Sequence, residues 1–267
     1  MLWVQYSMCE HNKWINMMLS ILVWLLFPVL VLASPLAQSP QDGQIIDRDH
    51  YSLSYNEEHE VANWVAYPLG HTQIRGCVDR TDAFRIDPLV TTGSSTLADY
   101  KNSNFDRGHL LPAGDMKFEA QAMKDTFFMS NMTPQPAKFN RGRWSMLETL
   151  MRSWALKYQQ TWIVTGPILK ENLPTIGLSQ VSVPMEYFKV VLRKEGKSYK
   201  GIGFLMSVDV PYPQLVSYAL SINQIEDLSG VDFFPFLSDD TEEEIESETD
   251  ISSWDFNAKF NYLPCAI

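Results

Sequence analysis

The residue pattern predicts an α+β fold, a mostly antiparallel sheet flanked by helices. Residues 61–69, 162–165, 183–192 and 199–208 are dense in β-branched and aromatic side chains and read as strands, the last two joined by a turn at Gly196-Lys197. Between them lies one long amphipathic segment, 140–158, in which Trp144, Leu147, Met151 and Trp154 recur at helical spacing. A chain of 267 residues with 45% hydrophobic and 12% aromatic content has enough apolar side chains for one large core.

Taken in order, residues 1–37 hold an uncharged apolar run, 17–33, followed by Ser34-Pro35-Leu36-Ala37. It reads as a secretory signal peptide cut near Ser34, or as a retained N-terminal anchor, although Pro28 and its length make it marginal for a full span. On either reading the globular part is exported, periplasmic or secreted, and the anchor reading ties it to a membrane. Residues 38–50, with Pro40 and Gly43, read as a linker, 51–255 as the folded domain and 256–267 as a C-terminal tail. Residues 51–55 alternate as a strand and turn through Asn56-Glu57-Glu58 into the strand at 61–69. Residues 73–85, with Arg75, Arg80 and Arg85, continue the strand region or form a solvated loop, and 90–104 is loop. A short helix is expected at 118–127 and a buried strand at 127–132, and Pro134 and Pro136 exclude helix before Lys138. In the 140–158 helix Arg141, Ser145, Glu148 and Arg152 take the polar face. Ser221 and Gln224 form a capping box for a short helix ending near Gly230, and 239–247 is an acidic helix or a solvated run.

The net charge of −11 is unevenly placed. Residues 221–267 hold twelve acidic side chains against Lys259 alone, whereas residues 101–170 hold ten Lys or Arg against five acidic groups. The local field of this second region suits a polyanion. Cys9 lies in the leading segment; Cys77 and Cys265 either form one bridge or stay as buried thiols, and no cysteine spacing suits zinc.

The basic region contains Asp106-Arg107-Gly108-His109. Histidine titrates nearest neutrality and suits a general base, and the arginine fork matches phosphate oxygens. Hydrolysis of a phosphodiester also needs a cation held by oxygen, for which Asn140 and Glu148 are available on the long helix. Eight helical residues separate them by roughly 12 Å along the axis, so Asn140 is assigned the direct bond and Glu148 the ion's water. Blander readings stand beside these: a structural His109, Asn140 as a helix N-cap, and Glu148 paired with Arg152 at i,i+4.

Three ordered blocks, Phe105-Asp106-Arg107-Gly108-His109-Leu110, Ser130-Asn131-Met132-Thr133-Pro134-Gln135, and Asn140 followed by Trp144 and Leu147-Glu148, give the chain its resemblance to a known family. The sequence resembles the DNA/RNA non-specific endonucleases, the group containing mitochondrial endonuclease G and secreted bacterial sugar-non-specific nucleases. Weaker echoes occur at 165–167, 183–190 and 230–235, so the resemblance covers roughly residues 45–255. It implies a ββα-metal finger embedded in the larger sheet, with His109 as general base, Asn140 as ligand of Mg2+ (Mn2+ as the alternative) and Glu148 as the acid orienting water. It further implies that Arg107 touches phosphate or braces the site and that Asn131 lies near the substrate. Arg80 is matched to an upstream phosphate-stabilising arginine, with Arg75 and Arg85 as alternatives, and Asp106 is expected to hold the turn. The implied activity is cleavage of single- or double-stranded DNA and RNA to 5′-phosphate products without a nucleotide cofactor. A protein inhibitor and a homodimer are the further partners to consider, and a catalytically silent nucleic-acid- or protein-binding domain is the competing reading.

Overall fold

The strand at 183–192 is apolar at nearly every position, which requires a sheet covered on both faces. The computed structural model, which describes residues 36–39, 43–210 and 212–261, shows such a sheet. In chain order the strands are β1 (Ala37–Gln38), β2 (Gln44–Asp47), β3 (Ser52–Asn56), β4 (Val61–Gly70), β5 (Phe105–His109), β6 (Met132–Pro136), β7 (Gln160–Pro167), β8 (Thr175–Ile176), β9 (Val181–Ser182), β10 (Glu186–Glu195), β11 (Ser198–Ser207), β12 (Ala219–Leu220) and β13 (Asp232–Phe233). The helices are α1 (His71–Ile74), α2 (Leu97–Tyr100), α3 (Ala120–Asp125), α4 (Ala137–Phe139), α5 (Ser145–Tyr158), α6 (Ile222–Ser229) and α7 (Asp239–Glu246).

Seven strands form one antiparallel sheet in the order β12-β11-β10-β7-β4-β3-β2. Alternation along β10 sends Tyr187 and Val191 into one core and Phe188, Val190 and Leu192 into the other. On the first face Trp144, just before α5, and the α5 side chains Leu147, Leu150, Met151 and Trp154 pack with Tyr67, Ile163, Tyr187 and Phe204. Trp144 and Trp154 are fully buried, so truncating either to alanine would cost about 3–5 kcal/mol. On the second face Ile222 and Ile225 of α6 and Ile245 of α7 pack with Phe188, Phe233 and Phe234.

β5 and β6 form a separate antiparallel ribbon that runs into α4, a π turn (Asn140–Trp144) and α5. This is the ββα finger. Pro134 and Pro136 fit inside β6 because a two-stranded ribbon leaves half its backbone groups without a ladder partner. Within the finger the Trp144 indole N–H donates to the His109 carbonyl at 3.4 Å, and the ribbon is tied to the main sheet by the Tyr187 hydroxyl of β10 donating to the Pro134 carbonyl at 3.0 Å.

Several elements differ from the sequence expectation. The 38–50 segment is not a linker: β2 is the edge strand of the main sheet, and Ala37–Gln38 pairs with Asp232–Phe233. The Gln44 side chain donates to the Leu89 carbonyl and accepts from the Thr91 N–H, contacts between segments far apart in sequence. The strand expected at 127–132 is a 3₁₀ turn, Met129–Asn131, and β6 begins only at Met132. Residues 73–85 do not extend β4, and α2 forms within the expected 90–104 loop. Asn140 is no N-cap, since the chain is already helical from Ala137 and Asn140 opens the π turn. Of the two readings of 239–247 the helix is the one that forms, over Asp239–Glu246 with Ile245 and Glu246 buried, and Phe256, expected in a C-terminal tail, packs edge-on to Trp154 at 5.4 Å. Arg152, placed on the polar face, is 6% exposed. Cys77 is disulfide-bonded. Cys9, Cys265 and the apolar run at 17–33 lie outside the described residues; among those described, no helix is long and apolar enough to cross a membrane.

Candidate active site

Alternation along β5 sorts the Asp-Arg-Gly-His string into two faces. Arg107 and His109 share one, Asp106 and Gly108 the other. A Cβ on Gly108 would lie 2.3 Å from Cδ of Gln135, which fills that side of the ribbon, so only glycine fits between the arginine and the histidine.

Phe84 and Phe127 support the Arg107–His109 face. The His109 ring meets Phe127 edge-on at 4.9 Å and Phe84 at 5.8 Å, and the two phenyl rings are T-shaped at 5.0 Å. The guanidinium of Arg107 lies 4.2 Å above the Phe84 ring, and that of Arg80 lies 4.9 Å above Phe127. His109 is 8% exposed, and its Nε2 is buried without a hydrogen-bond partner. Burial, reinforced by the nearby charges of Arg80 and then Arg107, pushes its pKa down to about 3. The imidazole is therefore neutral across the physiological range, and a proton taken up there would need the negative charge of a bound phosphate to offset the two guanidinium groups.

On the opposite face Asp106 gathers the start of the π turn. Its carboxylate accepts from Asn140 Nδ2 at 3.0 Å and from Arg141 Nε and Nη2 at 2.8 and 2.6 Å. Desolvation tends to raise its pKa, but the bonds from Arg141 and Asn140 prevail and hold it below the usual value. Because the Asn140 amide nitrogen is committed to Asp106, its Oδ1 is the end left to bind a ligand. Asp106 is thus more than a turn residue: it sets the orientation of the Asn140 amide.

Glu148 lies in the first turn of α5. Burial pushes its carboxyl well above the usual range, opposed by the charges of Arg152, Lys189 and Arg80 and reinforced by Asp115. Its surroundings are a buried polar cluster in which Arg152 Nη1 donates to Asp115 Oδ1 at 2.8 Å and the Tyr67 hydroxyl donates to Asp115 Oδ2 at 3.1 Å. Glu148 thus has Arg152 within its field, as i,i+4 spacing suggests, while Arg152 donates to Asp115 and, at 3.1 Å, to the Thr149 hydroxyl. Lys189, fully buried on β10, holds its Nζ 4.7 Å from the Trp144 ring without a hydrogen-bond partner. Burial lowers its pKa, and Glu148 is the largest influence raising it.

The structure brings His109, Arg107 and Arg80 together, and the charge of Arg80 acts on both His109 and Glu148. Of the three upstream arginines it is the one in this position. Arg85 is held by Asp125 at 3.0 Å and by backbone carbonyls while stacking on Phe128, and Arg75 is exposed; Arg80 is exposed too and pairs with Asp82 through Nε at 2.6 Å, but its charge reaches His109 and Glu148. Asn131 is not placed to touch a substrate. It is fully buried, its Oδ1 accepts from the Leu111 N–H at 2.9 Å, and its Nδ2 donates to the Leu111 and Thr126 carbonyls at 3.0 and 2.8 Å. Its amide braces the segment that follows His109. Sequence reasoning missed Phe84, Phe127, Asp115 and Lys189. Of these only Lys189 left a trace, as a lone charge inside the apolar run Tyr187-Phe188-Lys189-Val190-Val191.

Among the described residues no group of three or more His, Cys, Asp or Glu side chains is placed to hold a metal ion. A single amide oxygen aimed by a carboxylate fits a hard cation that keeps most of its own water, as Mg2+ does, and does not fit a soft or fully caged ion.

The family described as DNA/RNA non-specific endonuclease matches residues 32–240 of this chain. The mitochondrial nuclease EXOG of Danio rerio is 34% identical over 205 residues, an alignment covering 70% of this chain and 60% of that protein. Nuclease C1 of Cunninghamella echinulata var. echinulata is 35% identical over 213 residues, covering 72% and 83%. The chain thus spans about 60% of the length of the EXOG relative and most of the length of the second. Among solved structures, the crystal structure of an EndoG/EndoGI complex, titled for the mechanism of EndoG inhibition, superposes with a TM-score of 0.66 at 26% identity. That match covers 76% of this chain and 90% of the other.

Proposed function

We propose, for a chain that belongs to the DNA/RNA non-specific endonuclease family, a divalent-cation-dependent endonuclease that hydrolyses DNA and RNA phosphodiester bonds without reading base sequence. One observation carries the reading: a neutral, buried imidazole with an unbonded Nε2 is flanked by two guanidinium groups and stands on the finger whose helix starts at an oriented amide oxygen. His109 takes the proton of a water molecule as its oxygen adds to phosphorus, opposite the departing 3′ oxygen; that oxygen takes a proton from a second water and leaves as the 3′ hydroxyl, and the phosphate stays on the 5′ side. Arg107 and Arg80 face the charge that grows on the non-bridging oxygens. Asn140 Oδ1 would hold the cation, Mg2+ or Mn2+, and Glu148 would orient its water. When bound, that cation supplies charge neutralisation at the scissile phosphate. Backbone contacts of this kind carry no base information, so weak sequence preference and strong inhibition by salt are expected.

Export rests on the apolar run at 17–33 and remains a proposal beside the mitochondrial address in the names of several relatives. A protein inhibitor is proposed by analogy with the EndoG/EndoGI complex, and a homodimer is retained as a further proposal.

The test is digestion of plasmid DNA and RNA by the purified protein with Mg2+, with Mn2+ or with chelator, beside His109→Ala. Cation-dependent cleavage by the wild type alone is expected. Equal digestion by the variant would overturn the assignment of the base, and nucleic-acid binding without cleavage under every cation would favour the silent-domain reading.

A further inference from the structure

Five arginines of this region, Arg48, Arg80, Arg85, Arg141 and Arg152, each pair with an aspartate at distances between 2.5 and 3.0 Å, and Arg48, Arg80 and Arg85 lie over a phenyl ring as well. Arg107 has no ion pair and no hydrogen bond among the described residues; its guanidinium rests at 4.2 Å on the face of Phe84. Phe84 is itself well anchored. Its neighbour Arg85 donates from its backbone N–H to the Phe127 carbonyl at 3.2 Å and accepts from the Met129 N–H at 2.9 Å, and the Phe84 ring packs edge-on to buried Phe127. The same ring lies 5.8 Å from the imidazole of His109.

From this geometry we infer that Phe84 is a positioning residue for phosphate recognition, fixing the Arg107 guanidinium beside His109 through its ring face. The inference deepens the endonuclease reading and rests on it. The physical reason lies in what each kind of support leaves behind. A carboxylate beneath Arg107 would occupy its fork and cancel its charge, and would compete directly with the phosphodiester. An aromatic face holds the guanidinium plane by its quadrupole and packing while all five N–H donors stay available at the edge for two phosphate oxygens. A carboxylate would also add negative charge beside His109, whereas a ring adds none. Phe84 therefore matters for where Arg107 sits, and the ligand class it serves is the phosphodiester backbone of a nucleic acid.

The experiment compares wild type with Phe84→Leu, Phe84→Tyr, Arg107→Ala and the double variant Phe84→Leu/Arg107→Ala. It measures kcat and KM on plasmid DNA with Mg2+, the affinity for a short DNA duplex in chelator over a salt series, and the thermal midpoint. Phe84→Leu is expected to lower kcat/KM about tenfold, the order of one cation–π contact, while Phe84→Tyr, which keeps the face, stays near wild type. The double variant should be no worse than Arg107→Ala alone, and both Phe84→Leu and Arg107→Ala should flatten the salt dependence of duplex binding by about one phosphate contact. Losses that multiply in the double variant, a tyrosine variant as poor as leucine, or an unchanged salt slope in Phe84→Leu would each overturn the inference. A purely structural role would lower the thermal midpoint without the non-additivity. If wild type cleaves nothing but Phe84→Leu still loses duplex affinity in parallel with Arg107→Ala, the enzymatic reading fails and the positioning role stands; if neither variant alters duplex affinity, both fail.

Discussion

Replacing Asp106 with alanine should weaken the cation site far more than it weakens the fold. The carboxylate accepts one bond from the Asn140 amide at 3.0 Å and two from Arg141 at 2.8 and 2.6 Å. The Arg141 side chain is 73% exposed, so its pair contributes at most about 1 kcal/mol to stability. The Asn140 contact has a different consequence, because it decides which end of the amide is left for the proposed cation. Removing the partner that orients a ligand typically costs about 10–100-fold in metal affinity, or roughly 1.4–2.8 kcal/mol. The assay is the Mg2+ dependence of the initial rate on supercoiled plasmid, with Mg2+ or Mn2+ binding measured by calorimetry and the thermal midpoint recorded alongside. Asp106→Ala should raise the half-saturating cation concentration by that factor with little change in midpoint. Arg141→Ala, which leaves Asp106 on Asn140, should shift it much less. The reasoning is refuted if Asp106→Ala needs no more cation than the wild type, or if its loss is matched by the fraction of unfolded protein.

Three further predictions concern the buried groups. His109 titrates at about 3 in the folded chain against an unperturbed value of about 6.5, so folding stability is lost as pH falls from 6.5 toward 3 because the unfolded chain binds the proton first. His109→Asn removes that loss, and its midpoint relative to wild type should therefore be higher at pH 5 than at pH 8; the same difference at both values would contradict a buried neutral imidazole. Lys189→Met takes away a positive charge that favours ionised Glu148, so the acid limb of the kcat profile at saturating cation should move to higher pH, while Lys189→Arg should leave it nearly in place. An unmoved limb in Lys189→Met would separate the two groups. Gly108→Ala drives a methyl group to 2.3 Å from Gln135 and should cost about 1–3 kcal/mol in urea unfolding, with activity falling as the Arg107–His109 spacing is disturbed; an unchanged urea midpoint would show that Gln135 gives way.

What could be read in the chain followed local rules. The apolar stripe of Trp144, Leu147, Met151 and Trp154 marked α5, and the β-branched runs marked the long strands, because periodicity alone decides which face is buried. The order of Asp106-Arg107-Gly108-His109, Asn140 and Glu148 pointed to the family and to the residues of the proposed site. Asn131 showed the limit of that reasoning: a matching motif position gave its residue type but not its direction, and its amide proved to be committed to Leu111 and Thr126. The edge strand at Gln44–Asp47 was hidden for a related reason, since four residues carry little periodicity and its support comes from Ser52–Asn56 and from loop residues more than forty positions away.

The sequence by itself determined which chemical groups were available: an imidazole, two guanidinium groups, an amide oxygen, a carboxyl group and an amphipathic helix to carry the last of them. Only the tertiary structure decided how those groups are tuned. Phe84 and Phe127 come from outside the motif to desolvate His109, Asp106 reaches across the ribbon to orient Asn140, and Lys189 arrives from a distant strand to share the field of Glu148. Solvation and Coulomb energies depend on distance in space rather than along the chain, so pKa values and amide orientation appear only once the finger is packed against the sheet.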